Sequence, residues 1–255
     1  MVKSIENMVF CKKIKVKNTT VWPVCSVFEL IFPPLCRGCG VKGKYLCGCC
    51  KKYILSQTQR RRLEEGVEYL GFRDEILGEM TEEFKYQVVR GVGRELAEIV
   101  LARGLDGGEI VLVPFPTSRK HVRERGLDHM DYMVRQIEKL SGGRVRRKRL
   151  LMRAKDTTQV GTSGATRRKQ AKEAVVADWA EVERLKSEGF DGQVVLIDDV
   201  WTTGASMRAG LEKLRKAGVL ARGLVIVKNR RGRSPRVYGG EFEGFEEFGK
   251  LGRKK

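Results

Sequence analysis

Two adjacent carboxylates, Asp198 and Asp199, close the apolar run Gln193-Val-Val-Leu-Ile and lead into Val200-Trp-Thr-Thr-Gly-Ala-Ser206. The run 193–198 predicts a strand, and Met207, Leu211 and Leu214 at helical spacing predict a helix closed by Gly218. Paired carboxylates at the carboxyl end of a parallel strand accept hydrogen bonds from vicinal hydroxyls. A Thr/Gly/Ser turn at a helix amino terminus cradles a phosphate with backbone N–H groups and hydroxyls. The ligand this pattern describes is a phosphorylated sugar.

A second constellation is cysteine-based. Cys36-Arg-Gly-Cys39 and Cys47-Gly-Cys49-Cys50 form two C-x-x-C pairs with seven residues between them. Such spacing lets two tight turns aim four thiolates, Cys36, Cys39, Cys47 and Cys50, at one tetrahedral zinc ion of structural kind. Cys49 can replace Cys50, although the two-residue spacing argues for 47 with 50. Free or redox-active thiols are the alternative, but no thioredoxin-like strand and helix surround either pair. Cys11 and Cys25 read as ordinary thiols.

The elements that must position these groups alternate in βαβ order. Val92, Leu96, Ile99 and Val100 predict a helix feeding a buried strand at 110–115. Asp128 reads as the cap of a second helix carrying Met130, Met133, Val134 and Ile137 toward a turn at Gly142 and Gly143. His129, alone at that helix start, reads as a cap or a partly buried polar residue rather than a base. A polar helix near 178–187 and a strand at 224–229 complete the series. The segment from Arg144 to Lys172 reads as a basic, mobile loop flanked by short ordered pieces. The expected division is a basic and apolar lead-in (1–35), a zinc finger with a charged linker (36–62), a main domain (63–230) and a flexible tail (231–255).

With 51 Lys and Arg against 32 Asp and Glu, the formal charge of +19 favours anionic partners without selecting one. The amino terminus has scattered charges and lacks the features of an export signal, so a cytoplasmic location is expected. The longest mainly apolar stretch, 21–35, contains Pro23, Glu29, Pro33 and Pro34 and is too short to cross a bilayer.

The run VVLIDDVWTTGAS resembles the phosphoribosyl-pyrophosphate (PRPP) motif of type I phosphoribosyltransferases. That resemblance implies that Asp198 and Asp199 hold the ribose while Thr202, Thr203, Gly204, Ala205 and Ser206 form the 5′-phosphate loop. The four-Cys finger after Phe32-Pro33-Pro34, the stretch VPFPTSRKHVRERGLDHM and the loop RAKDTTQVGTSGATRRKQAKEAV are similar to the ComF family, also called ComF/GntX. The fold so implied is α/β, a type I phosphoribosyltransferase-like parallel sheet flanked by helices, with a small N-terminal four-Cys zinc finger. By position Pro114–Lys120 becomes the pyrophosphate loop. Asp128-His129 stands where the family carries Asn-Gln, and Arg153, Gln159 and Arg167 match family positions.

Magnesium would accompany PRPP, with Arg119, Lys120, Arg153 and Arg167 stabilising leaving charge as an oxocarbenium-like state develops. No segment identifies an acceptor. The resemblance implies a role in natural transformation, with incoming single-stranded DNA and competence or recombination proteins such as a DNA helicase as partners. Arg60-Arg61-Arg62, the run 144–149 and Arg167-Arg168-Lys169 are the expected DNA tracts, with Tyr45, Tyr53 or Trp201 for stacking. An active transferase of unknown acceptor and a PRPP-sensing regulator are the alternatives.

Overall fold

The computed structural model describes residues 33–87, 89–154 and 175–230, together with the backbone of a short antiparallel ladder, β1 (Lys15–Val16) with β2 (Thr19–Thr20). The elements that follow are α1 (Gly48–Gln57), β3 (Arg61–Glu64), β4 (Val67–Phe72), α2 (Ile76–Gln87), α3 (Arg90–Gly104), β5 (Ile110–Pro114), α4 (Arg119–Arg125) and α5 (His129–Leu140). After them come β6 (Val145–Arg147), β7 (Leu151–Arg153), β8 (Val175–Ala177), α6 (Trp179–Ser187), β9 (Gln193–Trp201), α7 (Ala205–Lys216) and β10 (Ala221–Lys228).

The main sheet has the order β3-β4-β10-β9-β5-β6, and every neighbouring pair is parallel except β3 with β4. The architecture is the expected α/β one. Period-two alternation sorts the central strands between two cores. Ile110, Leu112, Val195 and Ile197 face a core shared with α2, α3 and α5. Val111, Val113, Val194 and Leu196 face a second core with α6, α7 and the β7/β8 hairpin. Burial on both faces explains why β5 and β9 read as continuous apolar runs.

Helix α5 forms as its sequence dictates. Asp128 caps it, its carboxylate accepting from the Asp131 amide at 3.2 Å, and Met130, Met133, Val134 and Ile137 are buried along one stripe. After α5 the chain turns through Gly142 and Gly143, both at positive φ.

The stretch expected to link the cysteines to the main body is ordered, as α1 followed by the edge strand β3. Nor does the cysteine module stand apart. Cys36, Leu46, Cys50 and Ile54 belong to the same buried cluster as α2, α3 and α5. Arg37 grips Glu83 of α2 with two guanidinium nitrogens, and Lys51 Nζ lies 2.6 Å from both Glu95 and Glu98 of α3. Tyr45 packs so closely on Gly91 that a Cβ there would sit 2.1 Å from its ring.

Candidate functional site

The chain leaves β5 toward β6 on one side and leaves β9 toward β10 on the other. Ligands of open α/β sheets bind at such a reversal, outside the carboxyl ends of the strands. A cleft of about 430 Å³ opens there, lined by Thr117 and Ser118 after β5, by Arg153, and by Asp198, Asp199, Thr202 and Ser206 after the centre of β9.

The two carboxylates have different surroundings. Asp199 is buried, and its Oδ2 is 2.9 Å from His129 Nε2 and 2.8 Å from Lys85 Nζ. Burial alone would raise its pKa, but the hydrogen bond from His129 and the charge of Lys85 outweigh that and hold it below the usual carboxylate range. Asp198 is half-buried, and among the described residues its Oδ1 accepts from the Asp199 amide alone, at 2.9 Å. Burial first, and then the neighbouring Asp199 charge, push it up to about 7. The site thus holds one carboxylate fixed and charged beside another that is free to meet a ligand.

The loop after β9 is shaped by Gly204, the residue before α7, at φ 74°. A Cβ there would lie 2.2 Å from the Trp201 ring, so glycine is required on both counts. Thr202 and Ser206 line the cleft, whereas Thr203 accepts from the Ala205 amide at 3.4 Å, inside the loop. With Ala205 opening the helix, the amides of its first turn have no intrahelical carbonyl to meet, the kind of terminus that can receive an anion.

Of the basic residues expected here, Arg153 lines the cleft and its Nε donates to the Pro116 carbonyl at 2.8 Å. Arg119 and Lys120 lie exposed on α4, outside the cleft lining, and Lys120 Nζ is 3.9 Å from Glu124. Arg167, Gln159 and the Arg167-Arg168-Lys169 tract lie outside the described residues, as do Cys11, Cys25 and the tail from 231.

Within the run 144–149, residues 146–149 are drawn into ion pairs, and Arg144 donates to the Leu105 carbonyl. Arg147 and Arg149 reach Asp131 at 2.7 and 2.9 Å, and Arg146 and Lys148 reach Glu188 at 2.9 and 2.5 Å. Arg60 likewise pairs with Asp106 and Glu68. Among the expected stacking residues, Tyr45 is packed on Gly91 and Trp201 on Gly204, while Tyr53 is exposed.

Sequence reasoning gave no role to Lys85, Tyr86 or Arg125, and it read His129 as a cap or a partly buried polar residue. The structure brings all four to the cleft. His129 adjoins the capping Asp128 but is itself buried against Asp199. The one sequence signal for it was its place in a stretch that departs from the family pattern.

The four cysteine sulfurs of Cys36, Cys39, Cys47 and Cys50 all lie within 4.8 Å of one another, and Cys49 is exposed outside the group. A four-sulfur tetrahedron around a zinc-sized ion has edges of about 3.8 Å, and Cys39 and Cys47 are 3.6 Å apart. The residues therefore fit a metal. Amides of Cys47 and Cys50 point at the sulfurs of Cys36 and Cys47, at 3.2 and 3.5 Å. A Cβ at Gly38 would fall 2.6 Å from Cys50 Sγ, so only glycine closes that knuckle. Although burial opposes it, amide donors led by that of Cys47 lower the Cys36 thiol to about 7, toward the thiolate that a metal takes. No helix among the described residues is long and apolar enough to cross a membrane.

No family model matches the chain, and no curated protein matches its sequence. Two solved structures are similar to it in part. One, described as the allosteric regulatory enzyme of purine biosynthesis, aligns with a TM-score of 0.36 at 17% identity over 58% of this chain. Glutamine PRPP amidotransferase from B. subtilis, complexed with ADP and GMP, aligns with a TM-score of 0.37 at 16% identity over 57% of this chain. The chain spans 30% of the length of each. The chain's own features are a mostly parallel doubly wound α/β sheet, a cleft at its switch point, and an acid-acid-turn-helix segment at the end of a central strand.

Proposed function

We propose that the protein is a ComF-like accessory factor that handles incoming single-stranded DNA in the cytoplasm, with a cleft that takes magnesium-bound PRPP or a close sugar-phosphate relative. The observation that carries the ligand is the unequal carboxylate pair beside the Thr202–Ser206 turn. With Asp199 engaged by His129 and Lys85, Asp198 is left to accept ribose hydroxyls while the α7 amino terminus receives the 5′-phosphate. Magnesium bound with the pyrophosphate would supply charge neutralisation there, beside Arg153. Cys36, Cys39, Cys47 and Cys50 hold a structural zinc, and four thiolates leave no open position for chemistry.

The DNA role rests on the ComF resemblance and on the charge of +19. Its support from the basic tracts is reduced by the pairing of 146–149 with Asp131 and Glu188. Fluorescence anisotropy of a labelled single-stranded oligonucleotide near physiological salt, with and without Mg-PRPP, tests it. Saturable binding supports the role, and displacement by Mg-PRPP would put DNA phosphates in the cleft. Absence of binding removes direct DNA handling. For the ligand, calorimetry should show Mg-PRPP binding that Asp198→Asn weakens at least tenfold, and equal affinity for both proteins would refute it.

A working transferase is the second reading, favoured by the exposed Tyr86 ring that lines the cleft. There the bond from ribose C1 to pyrophosphate oxygen breaks, with its electron pair leaving on pyrophosphate. An acceptor lone pair forms the new bond to C1.

A further inference from the structure

Charge pairing divides the cleft. On the α2 side, Arg73 is tied to Glu82 at 2.7 Å and Lys85 to Asp199 at 2.8 Å. Arg125, at the carboxyl end of α4, is half-buried and lines the same cleft, yet it has no carboxylate within ion-pair distance among the described residues. Its guanidinium sits 5.3 Å from the centre of the Tyr86 ring. Tyr86 is 60% exposed, the largest exposure of any aromatic side chain at the cleft, and Lys85 Nζ is 5.8 Å from its centre. Lys85 thus touches Asp199 with one contact and the Tyr86 ring with another, so no more than the reach of one nucleoside separates the ring from the ribose-binding carboxylates.

An exposed aromatic face offers a stacking surface, and a half-buried guanidinium without a counter-charge is costly. One kind of occupant engages both. A planar ring covers the Tyr86 face, and a negative group on it meets the forked donors of Arg125. We propose that Tyr86 and Arg125 form a subsite for a planar, anionic aromatic ring, an aromatic carboxylate in chemical class, lying beside the sugar-phosphate half of the cleft. The subsite deepens the reading of the cleft as a phosphoribosyl site, because it names the acceptor that would lie next to ribose C1. Its own geometry does not depend on that reading.

Two matched pairs of probes test it by saturation-transfer NMR titration of the full chain: orotate against uracil, and nicotinate against nicotinamide. Each pair differs chiefly in the carboxylate. The anionic member is expected to bind at least tenfold tighter. Tyr86→Ala should weaken both members tenfold or more, with Tyr86→Phe close to the parent. Arg125→Gln should abolish the anionic preference while leaving the neutral rings unchanged. Equal affinity within each pair, or Tyr86→Ala without effect, would overturn the subsite. Mg-PRPP titrated into the same proteins separates the two claims. PRPP binding without a carboxylate preference overturns the subsite alone. Ring binding that follows the Tyr86 and Arg125 pattern without PRPP binding upholds the subsite and refutes the phosphoribosyl reading.

Discussion

His129 Nε2 meets Asp199 Oδ2 at 2.9 Å, joining the first turn of α5 to the central strand β9 across 70 residues of sequence. The imidazole is 4% exposed and the carboxylate residue 5%, so neither can exchange its partner for water. His129→Leu therefore leaves Asp199 with Lys85 as its side-chain partner among the described residues, and the expected cost is about 1–3 kcal/mol. His129→Gln, which keeps an N–H donor, should recover part of it. Urea unfolding midpoints measure both, and a Leu variant as stable as the parent would contradict the pairing.

Asp198 gives the site a pH dependence. With its folded pKa pushed up to about 7, it keeps its proton in the folded chain where the unfolded chain, titrating near 4, has lost it. The resulting stability is complete below about pH 4 and is lost as pH rises through 7. Asp198→Asn removes that loss. The melting temperature of the variant should gain on the parent by a few degrees between pH 5 and pH 8. The Asp199 charge, Lys85 and Arg153 set where the transition falls.

Ligand binding should run the other way. An ionised Asp198 accepts two ribose hydroxyls and a protonated one competes with them, so Mg-PRPP affinity should rise between pH 6 and pH 8. Calorimetry in two buffers of different ionisation enthalpy should register up to one proton released.

Metal content separates the cysteines. Cys49→Ser should retain one zinc per chain by mass spectrometry under native conditions, whereas Cys50→Ser should lose it. Because Cys36 and Cys50 belong to the core shared with α2, α3 and α5, chelation should lower the melting temperature of the whole described body in one transition. A separate early transition would show that the module unfolds alone.

Gly204→Ala tests the phosphate loop. A φ of 74° strains any L-residue, and the new methyl would strike Trp201. About a tenfold loss of Mg-PRPP affinity is expected together with a melting temperature lower by a few degrees, since Gly204 is buried against Trp201, while α7 stays anchored by Met207 and Leu214.

How far the sequence reveals this molecule depends on how local each signal is. β5, β9 and α5 carry their signals in contiguous residues, as apolar runs or a four-residue stripe with its own cap. Helix α2 does not. Its inward side is Leu77, Met80, Thr81 and Phe84, interrupted by acidic residues whose partners, Arg37 and Arg73, become visible only when packed. The carboxylate motif and the four clustered cysteines are equally local and were legible. Lys85 and His129 act on Asp199 through contacts that span the fold, and no spacing rule exposes them. The basic tracts show the reverse case. Arg147 and Arg149 look like solvent-facing charge in the chain, yet their carboxylate, Asp131, is buried 16 to 18 residues earlier.

Glu83, which Arg37 of the cysteine module grips, stands two residues before Lys85 and three before Tyr86 on the same helix. The module is consequently a buttress rather than an appendage. Residues 33–57 could not be exchanged for a foreign finger as a cassette, because the graft would also have to reproduce the Arg37 clamp and the Tyr45 wedge against Gly91. A chimera lacking them would keep its four cysteines and its sheet, but the helix that carries the Lys85 ammonium to Asp199 would no longer be braced.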